Sequence, residues 1–320
     1  MSELPPTIEN SLPKDLRMPA EWETHSHCII LYPHNPQTFR LEKAQAEIDH
    51  VIQVIAKEGQ ERVLIGCLDQ EQADMVKKKA FVDGDHISVV VCQSNDTWAR
   101  DTAPIFCRHV PTQDLVGLNW DFNAYGGPET GAYWPCDLDQ QIATKICQTL
   151  KVKCVNIPLI LEGGSIHTDG EGTLLVTKEC LLNPNRNPHL SQDMIENILK
   201  TALGVSVVIW LPKGLDADED TNGHIDNFCC FVKPGHVVLA WTDDEESDLI
   251  NYKRCRVASL QLKDSKDAKG RTIQVHKLHL PPPLVSKKYM YLFGKQVLRR
   301  QLTFLLFLVL YKRRSGVDWW

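Results

Sequence analysis

The chain has 320 residues, of which 43% are hydrophobic, and its formal net charge at pH 7 is −6. This length and composition are sufficient for a large buried core, organised as one large domain or two. The negative net charge argues against a nucleic-acid partner, and it favours a cationic ligand only weakly.

The predicted elements alternate between strands and helices along the chain. Apolar residues at helical spacing predict a helix over 39–56. Ser191 is the predicted N-cap of a second helix over Gln192–Leu203, which ends before Gly204. Short apolar runs predict strands at 28–31, 62–67, 87–91, 115–118, 173–177, 205–210, 237–241 and 273–277. This alternation indicates an α/β or α+β class.

The cysteine content and the first residues predict a compartment. Eleven cysteines are an odd number, and none of them has CxxC spacing. The first six residues are polar and do not resemble a secretory signal. These features predict reduced thiols and a cytoplasmic location.

The most informative segment is 218–228, DEDTNGHIDNF, which places four acids and one histidine within nine positions before an apolar run. If 225–232 is a strand, its period of two puts His224 and Asp226 on one face. A histidine beside a carboxylate pairs a proton carrier with an anionic clamp. Taken alone, the segment is more typical of an acidic loop that leads into a strand, with His224 as a capping or surface residue.

Two more segments place acids next to apolar runs. Trp98 and Asp101 lie three residues apart in a polar loop, and Glu162 ends a run of aliphatic residues before two glycines. Each is compatible with an ordinary loop. Together with Asp226, however, these acids and the flat aromatic ring suit a planar cation, because a guanidinium offers a fork of donors that carboxylates accept.

Several segments in a fixed order carry a resemblance to a known family. They are 18–23 (MPAEWE), 120–127 (WDFNAYGG), 162–167 (EGGSIH), 183–189 (NPNRNPH), 218–228 and 281–284 (PPPL). With them the chain resembles the agmatine deiminase family of the guanidine-modifying superfamily, and its plant and algal members most closely. The resemblance implies an α/β propeller of the pentein type, with fivefold pseudo-symmetric ββαβ modules.

The resemblance also implies a chemistry. A cysteine thiolate attacks the guanidinium carbon of agmatine, ammonia leaves, and water releases N-carbamoylputrescine on the route to putrescine. Asp101 and Asp226 match the positions that hold the guanidinium, with Glu162 beside them, and His224 matches the proton carrier. Trp98 and Asp220 match positions that line the channel toward the distal amine of the substrate. The resemblance implies no metal and no other cofactor.

One element of the family pattern is missing. The family nucleophile lies in a Gly-Gly-Asn-(Ile/Val)-His-Cys segment near the C-terminus, whereas the last cysteine here is Cys255. We therefore expect an incomplete propeller domain over 1–285, with a largely missing last module, followed by a divergent tail over 286–320. Such a chain is expected to lack turnover and to be less stable than its relatives.

Other cysteines and the tail do not change this expectation. Cys107, Cys180, Cys229 and Cys230 accompany apolar runs and are predicted to be core residues rather than substitute nucleophiles. The apolar stretch 302–311 has ten residues, too few for a membrane span of roughly 20.

Two alternative functions remain open at this point. In the first, the chain is a non-catalytic truncated form or pseudoenzyme, and it binds either agmatine or a partner subunit. In the second, it is a metal-dependent hydrolase. The second alternative uses two His-x-Asp pairs, His167 with Asp169 and His224 with Asp226, together with Glu162. A homo-oligomer is compatible with either.

Overall fold

A computed structural model describes residues 12–79, 81–82, 86–216 and 218–281, with strand residues 284–285 and 297–298. The chain divides into two compact units. Unit I comprises residues 23–106 and 115–163, and unit II comprises the segments 1–22, 107–114 and 164–320. The expectation of one domain over 1–285 stays a prediction.

The strands are short. They are β1 Leu16–Arg17, β2 His27–Leu31, β3 Arg62–Cys67, β4 Ile87–Val91, β5 Ile105–His109, β6 Leu115–Asp121, β7 Lys153–Ile160, β8 Ile166–Thr168, β9 Thr173–Thr177, β10 Val207–Leu211, β11 Cys229–Lys233, β12 His236–Trp241, β13 Gln274–His279, β14 Leu284–Val285 and β15 Val297–Leu298.

The helices vary from one turn to more than four. They are α1 Leu41–Gln53, which continues as a π-helical turn over Val54–Glu58, α2 Gln70–Lys77, α3 Ala99–Thr102, α4 Gly127–Thr130, α5 Ile142–Leu150, α6 Lys178–Leu181, α7 Gln192–Leu203 and α8 Leu249–Asp264. Short 3₁₀ turns occupy Asp139–Gln141 and Gly163–Ser165.

Unit I contains a parallel sheet in the order β2-β3-β4. Its central strand β3 is buried at every position after Arg62, because helices cover both faces of the sheet. Ile52 of α1 and Val76 of α2 are completely buried on one face, and Ile142 of α5 is buried on the other. In the same unit, β7 runs parallel to β6 after the crossover through α5.

Unit II contains the same strand–strand–helix–strand arrangement twice. β8 and β9 form an antiparallel pair, and β10 returns parallel to β9 after α7. β11 and β12 form a second antiparallel pair, and β13 returns parallel to β12 after α8. The second arrangement encloses the core around Phe228, Phe231 and Leu239. β14 and β15 form a short antiparallel pair.

The predicted α/β class is confirmed, with strand boundaries shifted by a few residues. The Ser191 cap is also confirmed: its Oγ accepts the amide of Met194 at 3.3 Å, and Gly204 ends α7 with a φ of +66°. Helix α8 was not predicted from the sequence, and Leu260 within it remains 65% exposed. Apolar residues on its outer side obscure the helical pattern.

The predicted strand over 225–232 is wrong in its first half, because β11 begins only at Cys229. The amides of Phe228 and Cys229 both bond to the carbonyl of Ile225, at 2.9 and 2.7 Å, and close a turn there. Ile225 and Phe228 are buried in the turn, and this burial produced an apolar pattern like that of a strand.

Within the described ranges, no helix has the length and apolar character needed to cross a membrane. The predicted divergent tail over 286–320, its apolar stretch 302–311 and the predicted loss of the last module fall outside the described residues, apart from the pairing of β15.

Gly204 supports a test of close packing in unit II. A Cβ at Gly204 would overlap the carbonyl oxygen of Leu16, whereas Gly270 has a similar φ of +78° and open space around it. We expect Gly270→Ala to cost about 1–2 kcal/mol, the strain of a left-handed residue. Gly204→Ala should cost about 1–3 kcal/mol more, because the backbone must also move.

Urea denaturation of the full chain measures both free energies of unfolding. Equal losses in the two variants would contradict the close approach of Gly204 to Leu16.

Candidate functional site

In unit I the loop after β4 is held by a buried carboxylate. Asp139 accepts the amides of Asn95 and Asp96 at 2.7 and 3.4 Å, and it accepts the hydroxyl of Tyr133 in a short hydrogen bond. Burial raises the pKa of Asp139, and the bonds from Tyr133 and the two amides oppose that rise. Asn95 Oδ1 in turn accepts the amide of Leu138 at 2.8 Å. The loop around Asn95 and the segment 133–139 are therefore fixed to each other.

Trp98 is oriented by a neighbour that the sequence reading did not single out. Its indole Nε1 donates to Asp96 Oδ2 at 3.2 Å, and the same oxygen accepts Thr38 Oγ1 at 2.7 Å. The indole ring lies 5.6 Å from the ring of Phe39. Trp98 is half-buried, so one part of its ring stays available for contact with a ligand.

Asp101 lies in α3, the short helix that begins directly after Trp98. A tyrosine from another segment fixes its carboxylate. The hydroxyl of Tyr125 donates to Asp101 Oδ2 at 2.7 Å. Tyr125 has a φ of +69° and packs edge-on against Phe122 at 5.3 Å. Burial, followed by the negative charge of Asp101, raises the pKa of Tyr125 well above its usual range. Tyr125 therefore remains a hydrogen-bond donor to Asp101.

Glu162 is fully buried at the end of the β7 segment. The next residue explains how it lies so close to α3, because a Cβ at Gly163 would collide with the carbonyl oxygen of Arg100. The charge of Glu162 also contributes to the raised pKa of Tyr125. The structure thus brings Trp98, Asp101 and Glu162 into one region of unit I.

In unit II, residues 218–228 wind around the buried carboxylate of Asp218. Its Oδ1 accepts the hydroxyl of Thr221 at 2.6 Å, and its Oδ2 accepts the amide of His224 at 3.0 Å and Asn227 Nδ2 at 3.1 Å. Gly223, with a φ of +81°, makes the tight turn just before His224. The local sequence therefore encodes the loop through one acid and its four nearby donors, the fourth being the amide of Thr221 at 3.4 Å.

His224 and Asp226 are adjacent, though not for the predicted reason. They lie on the turn rather than on one face of a strand, and His224 Nδ1 is 3.9 Å from Asp226 Oδ1. The amide of Asp226 donates to the carbonyl of Gly164 at 3.2 Å. His224 is 2% exposed and the side chain of Asp226 is 12% exposed, so both are shielded from bulk water.

Asp220 lies in the same loop, with an exposed side chain. Desolvation, followed by the charge of Asp218, raises the pKa of Asp220. The motif 183–189 supports this loop from outside: Arg186 donates to Asn222 Oδ1 at 2.8 Å, and Asn185 donates to the same oxygen at 3.0 Å. Arg186 is buried and bonded to the loop, so its role in the fold is structural.

The two His-x-Asp pairs do not form a common metal site in unit II. His167 Nδ1 accepts the amide of Phe231 at 3.2 Å, which leaves its proton on Nε2, 3.5 Å from Glu21 Oε2. Asp169 accepts the amides of Glu171 and Thr173 at 2.8 and 2.9 Å. Both side chains of the first pair are therefore engaged in the fold.

The cysteines are unbridged in the described part of the chain, and nine of the eleven are buried. The predicted core character of Cys107, Cys180, Cys229 and Cys230 is confirmed. Burial raises the pKa of Cys107 to about 12 and also raises the pKa of Cys229. Cys180 adds a feature that the sequence reading missed: its Sγ lies within 4.8 Å of a ring nitrogen of His224.

Comparison with known proteins defines the class of this chain. The family described as Porphyromonas-type peptidyl-arginine deiminase matches residues 17–310, and the chain belongs to this family. Several proteins similar to this chain are agmatine deiminases. The enzyme of Pseudomonas fluorescens is 44% identical over 276 residues, which cover 84% of this chain and 72% of the relative.

Two further relatives agree. The agmatine deiminase of Pseudomonas aeruginosa is 46% identical over 273 residues, covering 84% of this chain and 72% of the relative. The solved structure of the agmatine deiminase of Enterococcus faecalis has a TM-score of 0.77 at 33% identity, covering 93% of this chain and 77% of that one. The predicted membership and the α/β fold of the pentein type are confirmed.

The Asp218 network leads to a stability test. In Asp218→Asn, one carboxylate oxygen becomes an NH₂ group. This group cannot accept the donors that it then faces, which belong either to Thr221 or to His224 and Asn227. We expect a loss of about 1–3 kcal/mol in the free energy of unfolding, the cost of a buried unsatisfied donor. Amide hydrogen exchange across 218–228 should accelerate in the same variant.

The matched control is Asp264→Asn, at the exposed end of α8. It removes the same charge and should change stability by less than about 0.5 kcal/mol. An Asp218→Asn variant as stable as this control would remove the proposed organising role of Asp218.

Proposed function

We propose that this chain binds agmatine at a site of the agmatine deiminase type, the kind of site at which enzymes of that name convert agmatine and water to N-carbamoylputrescine and ammonia. The observation that carries the proposal is the presence of the predicted acids in oriented, largely desolvated surroundings. Asp101 accepts from Tyr125 beside the buried Glu162, and Asp226 lies 3.9 Å from His224. The naming of three relatives as agmatine deiminases supports it further.

The acids suit a guanidinium for an electrostatic reason. Carboxylates withdrawn from water are unfavourable until a cation compensates them, and a guanidinium supplies both the charge and a planar set of donors. In this proposal Asp101 and Asp226 bind guanidinium nitrogens, and Glu162 adds a third negative charge. Trp98 and Asp220 contact the rest of the substrate, which ends in a second cation.

His224 is the proposed proton carrier. When a thiolate adds to the guanidinium carbon, the departing nitrogen needs a proton, and the water that later displaces sulfur must lose one. An imidazole performs both transfers if its pKa lies near the working pH. Asp226 would stabilise the imidazolium form between the two steps.

The attacking thiol decides between turnover and binding alone. The 320 residues contain no Gly-Gly-Asn-(Ile/Val)-His-Cys segment. For these 320 residues we therefore propose agmatine binding without rapid turnover. The specific alternative is Cys180, whose thiol lies within 4.8 Å of a His224 ring nitrogen but is fully buried.

The remaining expectations belong to the same proposal. A cytoplasmic location is supported by eleven unbridged thiols, since exported proteins tend to form disulfides. Association into a homo-oligomer is proposed as compatible with the family, and light scattering of the purified chain measures it.

Agmatine binding is tested by calorimetry on the full chain and on Asp226→Asn. Loss of one charge-assisted hydrogen bond removes about 1.5–3 kcal/mol, so the dissociation constant should rise by roughly 10- to 150-fold. Asp264→Asn is the charge-matched control and should bind like the parent. Equal affinity in all three proteins would discard the role of Asp226.

Ammonia release is measured on the same samples, with and without iodoacetamide. We expect no rapid release. Fast release that is blocked by iodoacetamide and lost in Cys180→Ser would contradict this expectation and identify Cys180 as the nucleophile. Fast release that survives in Cys180→Ser would point to a different thiol.

The hydroxyl of Tyr125 supports a second test of the binding residues. Tyr125→Phe removes the donor that fixes Asp101 but keeps the ring packed on Phe122, so agmatine affinity should fall by roughly fivefold, equivalent to about 1 kcal/mol. Tyr32→Phe is the matched control, because it removes a similar donor from Asp49, which is not a candidate site residue. A fall in affinity of the same size in both variants would mean that Tyr125 acts only through stability.

A further inference from the structure

Three side chains of metal-ligand type converge at the amino-terminal edge of the parallel sheet of unit I. Cys28 is the second residue of β2, Glu61 immediately precedes β3, and His25 lies in the segment leading into β2. Because β2 and β3 are parallel, with Cys28 opposite Val63, their first residues meet at the same edge. Their nitrogen, sulfur and oxygen atoms lie within 4.8 Å of one another.

The distances are close to those of a tetrahedral ion site. Cys28 Sγ lies 3.5 Å from His25 Nε2 and 3.3 Å from Glu61 Oε2. Ligand atoms bonded to Zn²⁺ at 2.0–2.3 Å in a tetrahedron are separated by about 3.3–3.7 Å. The third distance, 2.6 Å between His25 Nε2 and Glu61 Oε2, needs to widen by less than about 1 Å.

The histidine is oriented as metal-bound histidines are. Its second ring nitrogen, Nδ1, lies 3.2 Å from the backbone carbonyl of Glu23. A carbonyl accepts only, so Nδ1 is the donor to it, and Nε2 is the ring nitrogen that faces Cys28 and Glu61. A carbonyl that fixes the tautomer in this way is the usual outer support of a metal ligand.

Backbone contacts hold the other two ligands. Cys28 lies within β2, and the amide of Glu61 donates to the carbonyl of Ile55 at 3.2 Å, at the end of the π-helical turn. His25 and Glu61 have side chains that are 34% and 31% exposed, so an ion can enter from solvent. The cluster is thus both preformed and accessible.

We propose that His25, Cys28 and Glu61 form a binding site for a divalent metal ion of the zinc class, with water completing the coordination. A thiolate, an imidazole and a carboxylate together favour Zn²⁺ over the hard ions Mg²⁺ and Ca²⁺. Coordination requires the thiol to lose its proton to solvent, so each ion bound releases about one proton near neutral pH.

The thiol chemistry makes the proposal demanding. Without an ion, burial and then the hydrogen bond to Glu61 raise the pKa of Cys28 to about 12. The negative charge of Glu61 also disfavours the thiolate form of Cys28. A bound dication attracts the thiolate instead, which is why coordinating thiols deprotonate.

The site is separate from the residues proposed to bind agmatine. In unit I, the loop with Trp98 and Asp101 follows the carboxyl end of β4, whereas the cluster lies at the amino ends of β2 and β3. In a parallel sheet, all the amino ends of the strands lie on one side and all the carboxyl ends lie on the opposite side. The ion would stabilise the start of the sheet rather than take part in the deimination chemistry.

Cobalt(II) provides the test, because a thiolate ligand gives Co²⁺ a near-ultraviolet charge-transfer band and tetrahedral geometry intensifies its visible bands. The full chain, freed of metals with a chelator, is titrated with Co²⁺ and then with Zn²⁺. We expect one Co²⁺ per chain with a thiolate band, and displacement of Co²⁺ by Zn²⁺. Thermal unfolding with Zn²⁺ provides a second measurement and should shift upward.

Variants decide whether this cluster is responsible. Cys28→Ser should abolish the thiolate band, and His25→Asn or Glu61→Gln should weaken binding at least as much as the roughly 10- to 100-fold lost with an outer-shell partner. Cys154→Ser is the matched control, since Cys154 is the other half-buried thiol of the described chain. It should bind Co²⁺ like the parent.

Two results would overturn the assignment. One is binding without a thiolate band, which would mean that the ion binds histidines or acids elsewhere. The other is a band that persists in Cys28→Ser or disappears in Cys154→Ser. Agmatine calorimetry on Cys28→Ser should be unchanged, and this keeps the metal proposal independent of the proposed deiminase function.

Discussion

Buried carboxylates that accept backbone and side-chain donors organise the loops of both units. Removing an ionised carboxylate from water is costly unless its oxygens are hydrogen-bonded. Asp218 meets this demand with four donors from 221–227, and Asp139 meets it with the amides of 95–96 and the hydroxyl of Tyr133. The chain wraps around each carboxylate, and this wrapping fixes the positions of the neighbouring candidate site residues.

Close backbone approach is the second constraint. Gly163 lies against the carbonyl of Arg100, so no larger residue fits between the segment of Glu162 and helix α3. A rigid pair of negative groups loses little conformational entropy when it binds a planar cation, and it does not need to reorganise. The same rigidity makes the site sensitive to small changes, such as loss of the hydroxyl of Tyr125.

The two proposed ligands use chemically distinct groups on one sheet. A guanidinium is recognised by carboxylate oxygens that accept its N–H groups, whereas a zinc-class ion is recognised by donated lone pairs of sulfur and nitrogen. Asp101 belongs to the first kind, and Cys28 with His25 belongs to the second. Because the two groups lie at opposite ends of the β2-β3-β4 strands, a metal ion bound by Cys28 and His25 would stay away from Asp101, the acid of unit I proposed to bind agmatine.

The sequence by itself determined the α/β class, the family, the Ser191 cap and the acids proposed to bind a guanidinium. These depend on local periodicity and on motifs read in order. It failed at 225–232, because burial of a turn and burial of a strand give similar apolar patterns. Only the tertiary structure decided the partners of these residues. Tyr125 bonds to Asp101 across 24 positions, and Cys28 meets Glu61 across 33. Strand pairing and loop closure bring such residues together, and no local pattern records which distant donor each acceptor receives.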